Sequence, residues 1–149
     1  MAARVRVGVS FGGQSVEHEV SLVSARSIVQ HLDPERYEPF PIGITRRGQW
    51  VTSRSPADLL RDGPEAAGSV PCCLPPDPEI GGLLISDPPG RKIQLDVIFP
   101  IVHGGHGEDG TLQGVLELAG LPYVGAGVLA SSVGMDKDLM KRVFRDAGL

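Results

Sequence analysis

The sequence has few cysteines, no clustered basic residues and no long apolar run. Only two of its 149 residues are cysteine, and Cys72 and Cys73 are neighbours, a spacing that fits neither a C-x-x-C redox pair nor a zinc knuckle. They raise no expectation of redox or metal chemistry. Lys and Arg number 14 against 18 Asp and Glu, a formal net charge of −4, and the absence of a basic run excludes the electrostatic footprint of a nucleic-acid binder. No apolar stretch approaches the ~20 residues that cross a bilayer. The opening residues, MAARVRVGVSFGG, alternate instead of forming a signal-peptide core, so the expected location is the cytoplasm, with no membrane partner. With 41% hydrophobic and 21% charged residues, the chain fits one globular domain around one core.

What is present alternates between strand and helix patterns. Val5, Val7 and Val9 share one side of a strand that ends in the glycine turn FGGQS. From Val16 to Leu32 apolar residues recur at helical spacing on two tracks, Val16–Val20–Val23 and Leu22–Ala25–Val29–Leu32, with Ser15 as the N-cap candidate. Residues 37–45 and 48–52 read as two short strands around RRG, the nearby prolines pushing the first toward a sheet edge. Residues 53–90 contain eight of the thirteen prolines and no sustained period, which predicts a long surface excursion with a small hairpin near GGLLIS. The continuous apolar run LDVIFPIV (95–102) predicts the central strand, buried on both faces. Leu112, Val115, Leu116 and Ala119 then give a short amphipathic helix closed by Gly120. LPYVGAG reads as a brief strand, and Met140, Val143, Phe144 and Ala147 as a last helix before Gly148. The expected fold class is α/β, a Rossmann-like open parallel sheet with helices on both faces.

In such sheets ligands bind beyond the carboxyl ends of the strands. Two segments fall there, FGGQSVEHE and HGGHGEDG (103–110), and each joins glycines to carboxylates and histidine at a helix N-terminus. One shared cleft edge is the main functional expectation. A metal at His103 and His106 conflicts with two facts: H-x-x-H ligand pairs belong on a helix whereas four glycines make this a loop, and further ligands are lacking. Glu108 and Asp109 suit the start of the next helix, with Asp109 or Thr111 as its cap. His103 ends a strand and faces the cleft, where an imidazole can donate to a carboxylate or move a proton; His106 has no assigned role. Glu19 suits the helix dipole, whereas Glu17, nearest the glycine turn, suits a substrate ammonium. GAGVLA (125–130) matches G-x-G-x-x-A, the mark of an NAD-dependent oxidoreductase, but Asp146, at the required spacing, lies in a helical stretch instead of a strand end. Lys137 opens that stretch, where a lysine either reaches a phosphate or is solvated.

Together, FGGQSVEHEVSLVSA (11–25), HGGHGEDGTLQGVLELAGLPYVGAGVLAS (103–131) and SSVGMDK (131–137) resemble the N-terminal part of D-alanine--D-alanine ligases, ATP-grasp enzymes of peptidoglycan precursor synthesis. The resemblance implies that residues 1–125 form a Rossmann-like substrate-binding domain and that 126–149 begin a central ATP-grasp domain. It implies ATP-dependent joining of two D-alanines through an acyl phosphate, with Mg2+ whose ligands lie outside this chain. By the same resemblance Glu17 holds the ammonium of the first D-alanine, His103 lies beside its carboxylate, Lys137 contacts ATP phosphate, and the assembly is a homodimer. Residues 1–149 alone are expected to be inactive. The alternatives are a D-alanine--D-lactate type ligase, a NAD-dependent Rossmann oxidoreductase and a small-molecule binding module.

Overall fold

The computed structural model describes residues 3–149; residues 1 and 2 of the expected first domain lie outside the described residues. Strand β1 (Val5–Gly12) leads through the glycine turn into helix α1 (His18–His31), and β2 (Tyr37–Ile44) and β3 (Trp50–Ser53) form a hairpin. Helix α2 (Pro56–Asp62), β4 (Ser69–Cys73), β5 (Gly82–Ile85) and β6 (Arg91–Gln94) follow, then β7 (Val97–Pro100), α3 (Thr111–Leu118), α4 (Val128–Met135) and α5 (Lys137–Asp146). The strands make one open sheet in the order β6-β5-β4-β3-β2-β1-β7.

The α/β class is as expected, and the sheet is mixed. β1 pairs in parallel with β2 on one side and β7 on the other, while β2 through β6 pair antiparallel. The excursion expected over 53–90 contains regular elements, helix α2 and strands β4 and β5, and with β6 its strands extend the sheet by three. The hairpin near GGLLIS is there, with Ile85 opposite Arg91.

Residues 95–102 do not supply the central strand. β7 ends the sheet order, its outer side met among the described residues by the single bridge Ile98–Tyr123, to which the expected LPYVGAG strand reduces. The apolar run is explained by packing on both faces: Ile98 joins Ile42, Leu112 and Leu116 on one, while Val97 and Phe99 pack with Val9, Phe11 and Leu22 on the other. The prolines of β2 are compatible with an inner strand because Pro39 and Pro41 share a parity. The Pro41 carbonyl accepts the Thr52 hydroxyl, so the side lacking N–H faces β3, which pairs only with Gly43 and Ile44. The parallel ladder to β1 loses nothing.

Helix α1 buries one of its two apolar tracks. Leu22 and Ala25 are buried against Val7, Val9 and Phe11, whereas Val16, Val20 and Val23 are exposed. On the opposite face α3 places Leu112, Leu116 and Ala119 in the core with Val115 against it, as the spacing predicts. Helices therefore cover both faces of the sheet. Asp136 caps α5, accepting from the Asp138 and Leu139 amides, yet that helix buries nothing, and Leu139, Val143 and Phe144 remain exposed. Among the described residues no helix is long and apolar enough to cross a membrane.

Candidate functional site

Because β1 and β7 are parallel neighbours, the turns that leave them emerge at the same end of the sheet, and the two glycine-rich segments meet there. The turn after β1 demands glycine: Gly12 has φ +89°, and a Cβ on it would collide with the Ile44 carbonyl oxygen. The Gly12 N–H donates to Ser21 Oγ (2.8 Å) and Gly13 N–H to the Ile44 carbonyl (2.8 Å). Ser21, fully buried, in turn donates to the Ile101 carbonyl at the end of β7. One hydroxyl thus ties both strand ends to the first turn of α1.

Ser15 is not the helix cap. Its hydroxyl donates to the His103 carbonyl (2.8 Å) and accepts the Glu17 N–H (3.1 Å), stitching one glycine segment to the other. Glu17 takes the cap position without a side-chain bond to the helix, and its carboxylate extends over the second loop. Glu17 Oε2 lies 3.1 Å from the point where a side chain on Gly104 would begin, and Gly104 itself has φ +72°. A residue other than glycine there would push against Glu17 as well as strain the turn.

His103 lines a cleft of about 770 Å³ between α1 and α4, together with Ser24, Ser27, Glu108, Gln113 and Ser131. Its ring is about one-third exposed, with Nε2 3.4 Å from Ser24 Oγ and Nδ1 4.0 Å from Glu108 Oε1. Glu108 accepts the Gly104 N–H through Oε2 (2.7 Å), so its carboxylate holds the loop and lies near the imidazole without a hydrogen bond to it. Asp109 accepts from the amides of His106 (2.8 Å) and Thr111 (3.0 Å). Those bonds hold its carboxyl below the ordinary carboxylate range, but neither Asp109 nor Thr111 is the cap of α3: that position is Gly110, with no side-chain cap bond, and Asp109 instead braces the loop just before the helix. The bond to His106 accompanies that residue's left-handed backbone, φ 67°. His106 does not line the His103 cleft; it lines a separate pocket with Trp50 and Leu112. The two histidines of H-x-x-H line different pockets, and among the described residues no cluster of three His, Cys, Asp or Glu has metal-binding geometry.

The structure thus brings Glu17 and His103 to adjoining loops, as expected, and does not bring Lys137 to them. Lys137 opens the exposed helix α5 and does not line the His103 cleft. Glu19 pairs with Arg46 of the β2–β3 turn. Sequence reasoning missed His18 and Ser21. His18 is buried, with Nδ1 2.7 Å from the Gly13 carbonyl and Nε2 3.6 Å from Glu65. The available signal was the i+3 spacing of two polar residues on the track that carries Leu22 and Ala25.

The GAGVLA context fails in three dimensions too. Gly127 precedes α4, no ladder strand leads into it, and Asp146 ends α5. The deciding observation is the match of residues 6–126 to the family model described as D-ala D-ala ligase N-terminus. The chain belongs to this family. A D-alanine--D-alanine ligase from Mycobacterium ulcerans is 52% identical over 155 aligned residues, covering 98% of this chain and 42% of that protein. The crystal structure of the VanG D-Ala:D-Ser ligase from Enterococcus faecalis matches with TM-score 0.88 and 36% identity, over 99% of this chain and 43% of that one. A D-alanine--D-alanine ligase from Bacillus anthracis, complexed with ATP, matches with TM-score 0.59 and 29% identity, over 97% and 37%. The chain therefore spans about two-fifths of the length of the relatives it matches.

Proposed function

We propose that this ligase-family chain supplies the first-substrate wall of an ATP-dependent ligase that joins two D-alanines for peptidoglycan synthesis in the cytoplasm. The observation that carries the reading is the Glu17 carboxylate held over Gly104, next to His103, at the mouth where β1 and β7 end. Glu17 is unencumbered by a cap bond and offers both oxygens to an ammonium, a charge-assisted pair that orients an amino acid by its amine. His103, beside Glu108, offers an N–H to the substrate carboxylate and orients it for phosphorylation. ATP phosphorylates that carboxylate; the amine of a second D-alanine attacks the acyl carbon, and phosphate leaves with the bonding pair.

The domain division near residue 125 is supported by the end of the family match at residue 126 and by α5 burying none of its residues. Lys137 on that helix is proposed to contact ATP phosphate; the ATP complex of the Bacillus anthracis relative supports nucleotide use. Mg2+ is proposed to accompany the nucleotide, held by residues beyond this chain, and a homodimer is the proposed assembly. The second substrate is proposed to be set outside these residues, a reading supported by the D-Ala:D-Ser ligase among the matches, whose corresponding part has the same fold. The test is product analysis. Protein carrying this chain together with an ATP-grasp domain is expected to form D-alanyl-D-alanine with stoichiometric ADP, and residues 1–149 alone none. A full-length protein that hydrolyses no ATP in the presence of D-alanine would overturn the reading.

A further inference from the structure

The least accessible titratable side chain near the site is one the chemistry above does not use. His18 is 1% exposed, immediately follows Glu17, and sits between the glycine turn and Glu65. A carbonyl oxygen only accepts, so the 2.7 Å contact to Gly13 fixes Nδ1 as the donor. Nε2 faces the Glu65 carboxylate at 3.6 Å, and Glu65 itself accepts the Arg46 N–H (2.7 Å) from the β2–β3 turn. Gly13 has no freedom to compensate for loss of the imidazole. Its N–H is committed to Ile44, its φ is +103°, and a Cβ there would stand 2.9 Å from Val102.

We propose that His18 is a positioning residue for the first-substrate ammonium: it locks the Gly12–Gly13 turn to the first turn of α1 and thereby holds Glu17 over Gly104. This rests on the assignment of Glu17 made above. An ammonium ligand that is free to swing loses its orientation, and small displacements of a positioning group are costly in rate. The requirement is specific to the Nδ1 position. Asn places an amide nitrogen there, Gln places one near Nε2, and Leu places none.

In full-length protein, His18→Leu and His18→Gln are expected to raise KM for the first D-alanine about tenfold, with KM for ATP within about twofold of wild type, and His18→Asn to restore most of the loss. Hydrogen exchange of the amides from Gly12 to Ser21 is the second readout. It is expected to speed up about tenfold in the Leu and Gln variants and to stay near wild type in Asn. Equal kinetics and equal exchange for Asn and Gln would overturn the proposal, as would a parallel rise in both KM values, the mark of a merely structural role. If His18→Leu does not fold, the contrast of Asn with Gln still decides. Wild-type protein that turns over no D-alanine would sink the functional reading, leaving exchange alone to decide whether His18 holds the turn.

Discussion

The two wings of the sheet divide the work. The parallel trio β2-β1-β7 ends in glycine-rich loops and carries Glu17, Ser21 and His103, whereas the antiparallel wing β3 to β6 carries core residues such as Leu83 and Ile85 and none of the proposed site. The difference follows from topology. Parallel neighbours bring their carboxyl ends, and the helix N-termini that follow, to one edge; antiparallel neighbours alternate their ends and close with short turns. Even the outer edge fits a supporting role, since β6 reads Arg-Lys-Ile-Gln with three of four residues exposed, a charged strand that discourages edge pairing.

This division can be broken by experiment. The largest effect is expected from Leu83→Ala in the antiparallel wing: deleting a fully buried side chain costs about 3 kcal/mol of stability in denaturant unfolding, while kcat/KM of the folded enzyme stays unchanged. A matching fall in kcat/KM would show that the wings are not independent. Next, Glu17→Gln should lower kcat/KM for the first D-alanine about 30-fold, the loss of roughly 2 kcal/mol from a charge-assisted pair, with unfolding midpoints near wild type because the side chain caps nothing. A third contrast lies within one strand of the wing. Burial pushes the Cys72 thiol up to about 12, while Cys73 is exposed, so iodoacetamide should label Cys73 alone in native protein and both after unfolding.

The smallest effect belongs to the amino end of the trio, where the Arg6 guanidinium and backbone N–H both bond Asp96 and hold its carboxyl down at about 2. A carboxyl depressed below its unfolded value of about 3.9 contributes stability that is present above that pH and is lost as pH falls toward 2. The pair is solvent-screened. Asp96→Asn should therefore be slightly less stable than wild type above pH 5, by an amount that does not change with pH there, and the gap should close as pH falls from 4 to 2.

Much of the site was legible beforehand because its signals are local. A strand, two glycines and a polar helix start read the same in one dimension as in three, and so do the spacing of Leu112, Leu116 and Ala119 and the bonds Asp109 makes to residues beside it. Elsewhere local signals were ambiguous. Both apolar tracks of α1 have helical spacing, and only the placement of β1 buries Leu22 and Ala25 while leaving Val20 and Val23 exposed. The proline-rich segment lacked a period because its strands have four or five residues each, too short to establish one.

The sequence by itself determined the class of elements, the two glycine turns and the candidates Glu17 and His103, since backbone sterics and local capping need no distant partner. The tertiary structure decided the rest: that β7 ends the sheet instead of centring it, that His103 and His106 line different pockets, that Lys137 stays away from the His103 cleft, and that His18 and Ser21 are buried clamps. Each of those depends on which strands pair and which face is covered, contacts between residues as many as 90 apart, whose register no local pattern encodes.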